Sequence, residues 1–274
     1  MPKVFSRLWR ALVLLTAGAF FVLPLYAMVR FAFQNVLVVD LTWGKIFSNW
    51  SFEKFTSAFQ SSSFWDSFWY SIRLALLTSA LMCTLVVPTV IWVQLRMPRL
   101  RSLVEFLTLL PYVIPAIGLV AGIVVIKPHV RWFIASDYAL VPFYLVLSLP
   151  FAFRALDNAL RSIDLVTLVT ASRSLGASWT QTLIRVIVPN IRTAVVSAVF
   201  LTIAVVLGEY TIADVLLKRT LPAFTVEYRG SDPRGGYALA VATLLFTTVL
   251  FMVLSLITRS KQEKSKWKVK HGKD

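Results

Sequence analysis

The 274-residue chain is 58% hydrophobic and only 15% charged, with a formal net charge of +15, far outside ordinary soluble usage. Length alone allows one or two soluble domains, but apolar runs of about 20 residues recur along it, the length a helix needs to cross a bilayer. The positive charge gathers at the ends of those runs, which points to a membrane surface and away from nucleic acid.

Lys3, Arg7 and Arg10 precede a first apolar run over residues 11–29. It is too long for the core of a signal peptide, and Leu23-Pro24-Leu25 is no small-residue cleavage site, so it reads as a spanning helix kinked near Pro24. Residues 34–65 carry Trp43, Trp50, Phe55, Phe59 and Trp65, as a loop at the membrane interface does. A second span covers 67–93 and is followed by Arg96, Arg99 and Arg101. The third, 103–126, contains Pro111, Pro115, Gly118 and Gly122, the glycine pair at a spacing that permits close helix approach. A fourth covers 138–153, a fifth 193–217 and a sixth 237–257, the last two joined by a loop over 218–236. A basic tail, 259–274, ends the chain, its seven Lys and Arg suited to a solvated topology signal or to anionic lipid. The expected fold is therefore an all-α membrane protein of six transmembrane helices.

Between the fourth and fifth spans lies the longest polar interval, 154–192. Leu165, Leu168, Val169, Ser172 and Leu175 recur at helical spacing and predict one face of a short helix. Asp164 is placed to cap its first turn, and Gly176 to end it in a left-handed turn. Ser178 then opens a second helix with Gln181 at capping-box spacing, and Pro189 closes that segment. The face is too short to span a bilayer and needs burial against its own membrane domain or a partner.

Six spans place both termini and the 154–192 loop on one side. That side carries eighteen of the 28 Lys and Arg and five of the 13 acids, an asymmetry that makes it cytoplasmic. The chain has no Gly-x4-Gly-Lys-Ser/Thr loop for nucleotide phosphates. His129 and His271 lie far apart and Cys83 stands alone, so neither a metal cluster nor a disulfide is expected. No nucleophile-base arrangement stands out, and the chain is not expected to be an enzyme by itself.

The segment Thr170-Ala171-Ser172, then Gly176-Ala177-Ser178, then Ile187-Val188-Pro189 resembles the "EAA" loop of type I ABC importer permeases. Thr170 stands where that pattern has Glu, and Ser172 where it has its second Ala, which removes a charged contact at 170 but leaves a docking helix. The order of the spans and the Pro-rich Leu110-Pro-Tyr-Val-Ile-Pro115 are similar to that family as well. The resemblance implies that Thr170, Ala171, Ser172, Leu175, Gly176, Ala177, Ser178 and Pro189 form a coupling loop docked on an ATPase. It implies further partners: two ATPase subunits, which hold the ATP and Mg that this chain does not bind, a second permease subunit of a different chain, an extracytoplasmic binding protein, and membrane lipid. The implied location is the inner or plasma membrane.

Leu207-Gly-Glu-Tyr-Thr-Ile-Ala-Asp-Val-Leu216 and Ser231-Asp-Pro-Arg-Gly-Gly236 look most like the polyamine (spermidine/putrescine) branch, with the 2-aminoethylphosphonate and ferric-ion branches near. Glu209, Tyr210 and Asp214 are the candidate solute-path residues, because ionisable groups inside a span mark a pathway or a paired site. On a continuous fifth span Glu209 and Asp214 would stand about 140° apart and could not share one face. The alternative for Glu209 is structural, pairing with a helix end or with an Arg such as Arg73. Two other classes remain open from the residues alone, a secondary transporter without an ATPase and a membrane assembly protein that moves no solute.

Overall fold

The computed structural model describes the backbone of residues 2–34, 42, 44, 49–114, 116–126 and 128–271, and their side chains except at 2–8, 116–117, 120, 254 and 257–271. Trp43, Pro115 and the side chains of the basic tail, all singled out in the sequence, lie outside the described residues. Helix dominates. Among the described residues the only β contact is an isolated bridge between Gln34 and Trp50.

The helices run α1 (Pro2–Phe33), α2 (Glu53–Gln60), α3 (Ser62–Leu81), α4 (Val87–Arg96), α5 (Arg101–Val113), α6 (Ala116–Ile126), α7 (Arg131–Ala135), α8 (Leu140–Arg161), α9 (Leu165–Ser174), α10 (Trp179–Gln181), α11 (Val188–Asn190), α12 (Arg192–Gly208), α13 (Thr211–Val215), α14 (Leu221–Ser231) and α15 (Pro233–His271). Their contacts group into two units, Met1–Trp65 with Phe224–Thr248, and Asp66–Ala223 with Val249–Asp274. In the first, Ala32, Ala238 and Val241 form a small core with Phe33, Phe55 and Tyr237 against it.

Among the described residues the second unit has two cores. One joins Met82, Val86, Val90 and Ile91 to Ala152, Phe153, Leu156 and Leu160 of α8, and then to Leu165, Ile187, Ile191 and Ala198. The other gathers Leu74, Ile123, Leu140, Tyr144, Val206 and Ile212. The first core thus runs from the α3–α4 span through α8 into the 164–189 loop.

Four described helical runs are long and apolar enough to cross a membrane: Trp9–Phe33, Ser62–Arg96, Leu140–Arg161 and Pro233–Val253. A fifth follows only if Trp179–Asn190 and Arg192–Gly208 count as one, and these are bent by 82°. Among the described residues, therefore, the helices do not form six continuous spans. The expected third span, 103–126, is broken between α5 and α6. Ile114 is extended there, at φ −85° and ψ 118°, the conformation that the ring of a following proline imposes. Nor, among the described residues, does the glycine pair pack another helix closely. A Cβ at Gly122 would meet nothing within 4 Å, and one at Gly118 would meet only Ile114 Cγ2, at 3.2 Å.

The expected fifth span is broken too. α12 ends at Gly208, Glu209 is extended, and α13 begins two residues later. At 1.5 Å per residue α12 is about 26 Å long, close to a hydrocarbon thickness without the preceding bent segment. Other boundaries extend beyond the sequence reading. α8 continues through the first residues of the expected loop to Arg161, and the expected connections 34–65 and 218–236 contain α2 and α14.

The 35-residue run Ser62–Arg96 contains a π segment, Met82–Val86, just before Pro88. A second, Thr182–Ile187, comes just before Pro189. Proline has no N–H and its ring crowds the carbonyl four residues earlier, and the wider π turn gives that ring room.

Candidate functional site

The 164–189 loop is built by its own caps. Asp164 accepts from the Thr167 amide at 3.2 Å and from its hydroxyl at 2.7 Å. The Thr167 hydroxyl and then its amide hold the Asp164 carboxyl below the usual carboxylate range. α9 ends in a Schellman turn: the Gly176 amide donates to the Arg173 carbonyl at 3.0 Å, and that of Ala177 to Ser172 at 3.2 Å. Gly176 has φ +83° and open space where a Cβ would stand, so glycine is required there by backbone conformation and not by crowding. Arg173 Nη1 donates to the Ala177 carbonyl at 2.9 Å and braces the turn from outside.

Ser178 and Gln181 form a complete capping box at the start of α10, with the Ser178 amide donating to Gln181 Oε1 at 2.8 Å. Pro189 falls inside α11, and the run breaks two residues later at Ile191. Across the loop, the buried Ser172 and Thr182 hydroxyls lie 2.9 Å apart. Leu165 and Ser172 are buried, with Leu168 and Val169 half-buried, as the spacing of that face requires.

Leu175 departs from the face predicted for it. It is 89% exposed, because it is the C-cap at φ −82°, ψ 7°, where the helical period stops and the chain turns outward. Val166 and Ile184 are also more than half exposed, and Thr170 and Ala171 are exposed beside them. The loop therefore has a locked inner face and an outer face carrying unburied apolar side chains, a combination that fits a partner.

At the break between α12 and α13, Glu209 turns its carboxylate onto the next helix. Oε1 accepts from the Ile212 amide at 2.8 Å and Oε2 from the Ala213 amide at 3.4 Å. Two otherwise unpaired first-turn amides are satisfied in this way. Arg73 is exposed, and among the described ion pairs none joins it to Glu209. Of the two structural pairings open to Glu209 in the sequence, the helix end is the one present. The continuous-helix angle between Glu209 and Asp214 no longer applies. Asp214 is exposed on α13, with the Tyr210 hydroxyl beside it.

Two residues near these sites escaped the sequence reading. Tyr144, in α8, is fully buried, its hydroxyl without a hydrogen bond among the described residues and within electrostatic reach of Glu209. Asp157, near the end of α8, is 3% exposed. The sequence signal for Asp157 is a carboxylate amid Leu156 and Leu160, inside an interval whose composition reads as a polar loop.

The second segment singled out, 231–236, is a packed corner. Asp232 accepts from Lys54 Nζ at 2.9 Å and from the Gly235 amide at 3.2 Å. Burial pushes its carboxyl up, but Lys54 and the amides of Gly235 and Arg234 outweigh that and hold it below the usual range. A Cβ at Gly235 would stand 2.5 Å from Tyr228 Cε1, and one at Gly236 2.6 Å from the Arg229 Cα.

Long apolar helices, breaks inside two of the expected spans and a capped polar loop with apolar side chains on its outer face define a multi-pass helical membrane protein. A family model described as "Binding-protein-dependent transport system inner membrane component" matches residues 86–263, more than half of the chain. The chain belongs to that family. It is accordingly a membrane-embedded permease subunit of an ABC importer, a transport component and not an enzyme, of a kind that works with a further permease, an ATPase and a binding protein. A comparison with curated proteins gives no significant match.

Proposed function

We propose that the 164–189 loop is the coupling element of this permease, docking through Val166, Leu175 and Ile184 into an ATPase subunit that holds ATP and Mg. The carrying observation is the 89% exposure of Leu175 on a loop whose other face is tied down by caps and by the Ser172–Thr182 contact. Thr170 and Ala171 flank this outer face and add no charge to it, while Arg173 and Arg185 beside it are exposed. In this reading two ATPase subunits and a second, different permease chain complete the complex. Six membrane crossings are kept, the third being α5 with α6 and the fifth α12. Both termini and the loop face the cytoplasm, as the basic asymmetry indicates.

The proposed solute is a small organic cation of the polyamine type. Glu209, Tyr210 and Asp214 support it by placing two carboxylates around a helix break, where unwound backbone leaves polar groups free to line a path. Vesicles holding the complete transporter test both parts. A cysteine at Leu175, in a Cys83→Ala background, is expected to cross-link to the ATPase. Putrescine uptake is expected to need ATP and binding protein. Uptake without ATP would point to a secondary transporter, and transport of 2-aminoethylphosphonate or ferric ion in place of putrescine would reject the polyamine assignment.

A further inference from the structure

A single buried carboxylate joins three helices where α8 leads into the loop. Asp157 Oδ1 accepts from Arg101 Nε at 2.6 Å, and Oδ2 from Arg101 Nη2 at 2.5 Å. Gln94 Nε2 donates to Oδ1 as well. Gln94 lies in the last turn of α4 and Arg101 is the first residue of α5. Glu105, one turn along α5, comes within 3.9 Å of Arg101. α8 ends four residues after Asp157, and Asp164 then caps α9.

Apolar packing already holds these elements together, since Val90, Ile91, Leu156, Leu160, Leu165 and Ile187 share one core. A buried ion pair adds little net stability over well-packed apolar side chains. What a two-pronged guanidinium–carboxylate contact adds is direction, because both groups must keep one mutual orientation. Apolar surfaces can slide past each other, whereas this contact cannot without breaking. The Lys54–Asp232 pair is about a third exposed on both partners, and in Lys218–Asp137 the Asp is exposed. Asp157, by contrast, is withdrawn from water.

We infer that Asp157 is a positioning residue, a rigid joint through which displacement of the 164–189 loop is passed along α8 to α4 and α5. The inference rests on the proposed docking of that loop on an ATPase.

The test uses the complete transporter with ATPase and binding protein, in a Cys83→Ala background, and needs no knowledge of the solute. A cysteine at Tyr112, half-exposed on α5, reports the response of that helix as a maleimide labelling rate with and without ATP and vanadate. A cysteine at Leu175 reports docking by cross-linking to the ATPase. The expected wild-type result is a several-fold change in labelling at Tyr112 on trapping. The double variant Arg101→Met, Asp157→Leu replaces the pair by apolar groups and leaves no buried charge alone. It is expected to assemble and to keep the Leu175 cross-link and basal ATP hydrolysis, but to lose most of the change at Tyr112. Gln94→Met, which keeps the ion pair, is expected to retain more than half of it.

A wild-type response in the double variant overturns the joint, as does an unchanged Tyr112 rate in the wild type. A double variant that fails to assemble marks the pair as a folding element and overturns it too. Absence of the Leu175 cross-link in the wild type defeats the docking reading itself, which separates the two failures.

Discussion

The Ser172 hydroxyl lies 2.9 Å from the Thr182 hydroxyl, and both side chains are buried where the two arms of the loop meet. Thr182 opens the π segment Thr182–Ile187, and the bond pins the start of that wider turn to α9. Ser172→Ala is expected to destabilise by about 1–3 kcal/mol, because Thr182 is left buried and unbonded. Ser172→Ala with Thr182→Val removes both hydroxyls and is expected to recover most of that loss. A thermal-unfolding cycle on the purified complex measures the coupling. Additive single effects would mean that the two hydroxyls do not interact.

Gly176 separates conformation from crowding. Its φ of +83° suits glycine, and no atom lies within 4 Å of a built Cβ. Gly176→Val is expected to cost on the order of 1–2 kcal/mol through backbone strain alone, with Gly176→Asn milder. The complex is expected to assemble, but with its ATP hydrolysis no longer raised by loaded binding protein. Hydrolysis assays on the two variants check both the direction and the order.

The loop was legible because its signals are local. Asp164, Gly176, Ser178 and Gln181 each act within a few residues, and each stands in the structure in the role its chemistry suits. Helix continuity was less legible. Ile114 and Glu209 interrupt spans that hydropathy reads as unbroken, since hydropathy does not register where a backbone leaves the helix. Leu175 fits the helical period, but the period ends one residue before it. Asp157 was out of reach for a different reason. Its partners are 56 and 63 residues away, and only the packed fold brings them to one carboxylate.

Gly235 and Gly236 give an ordered pair of outcomes. At Gly235 a new Cβ would meet the ring edge of Tyr228 at 2.5 Å, and at Gly236 the Cα of Arg229 at 2.6 Å. A side chain can rotate away, whereas a helix backbone moves only with its neighbours. Gly236→Ala is therefore expected to destabilise by about 1–3 kcal/mol as an overpacked contact, and Gly235→Ala by less. Detergent thermal shifts rank the two. The reverse order would mean that the Tyr228 ring is the more firmly held.

Orientation has a direct measurement. Ser174 ends α9 and Ser231 ends α14, and both are exposed. In a Cys83→Ala background, Ser174→Cys is expected to react with an impermeant thiol reagent only from the cytoplasmic side, and Ser231→Cys only from the other. Reaction of both from one side would remove the odd number of crossings between them.

Glu209 carries a structural and an electrostatic role that two substitutions can separate. Its carboxylate caps α13, with the stronger bond from Ile212 at 2.8 Å and the weaker from Ala213 at 3.4 Å. Glu209→Gln keeps an oxygen for Ile212 and removes the charge, although its amide nitrogen then faces the Ala213 amide. Glu209→Ala removes both acceptors, and loss of a helix-capping acceptor costs about 0.5–2 kcal/mol. If Glu209 only caps, Gln should transport almost as the wild type does and Ala should lose stability and uptake together. If its charge also draws a cationic solute through the break, Gln should slow putrescine uptake several-fold while assembly and binding-protein affinity stay unchanged. The polyamine reading expects the second pattern. Wild-type uptake by Glu209→Gln would remove this carboxylate from the path and leave it as the cap of a broken helix.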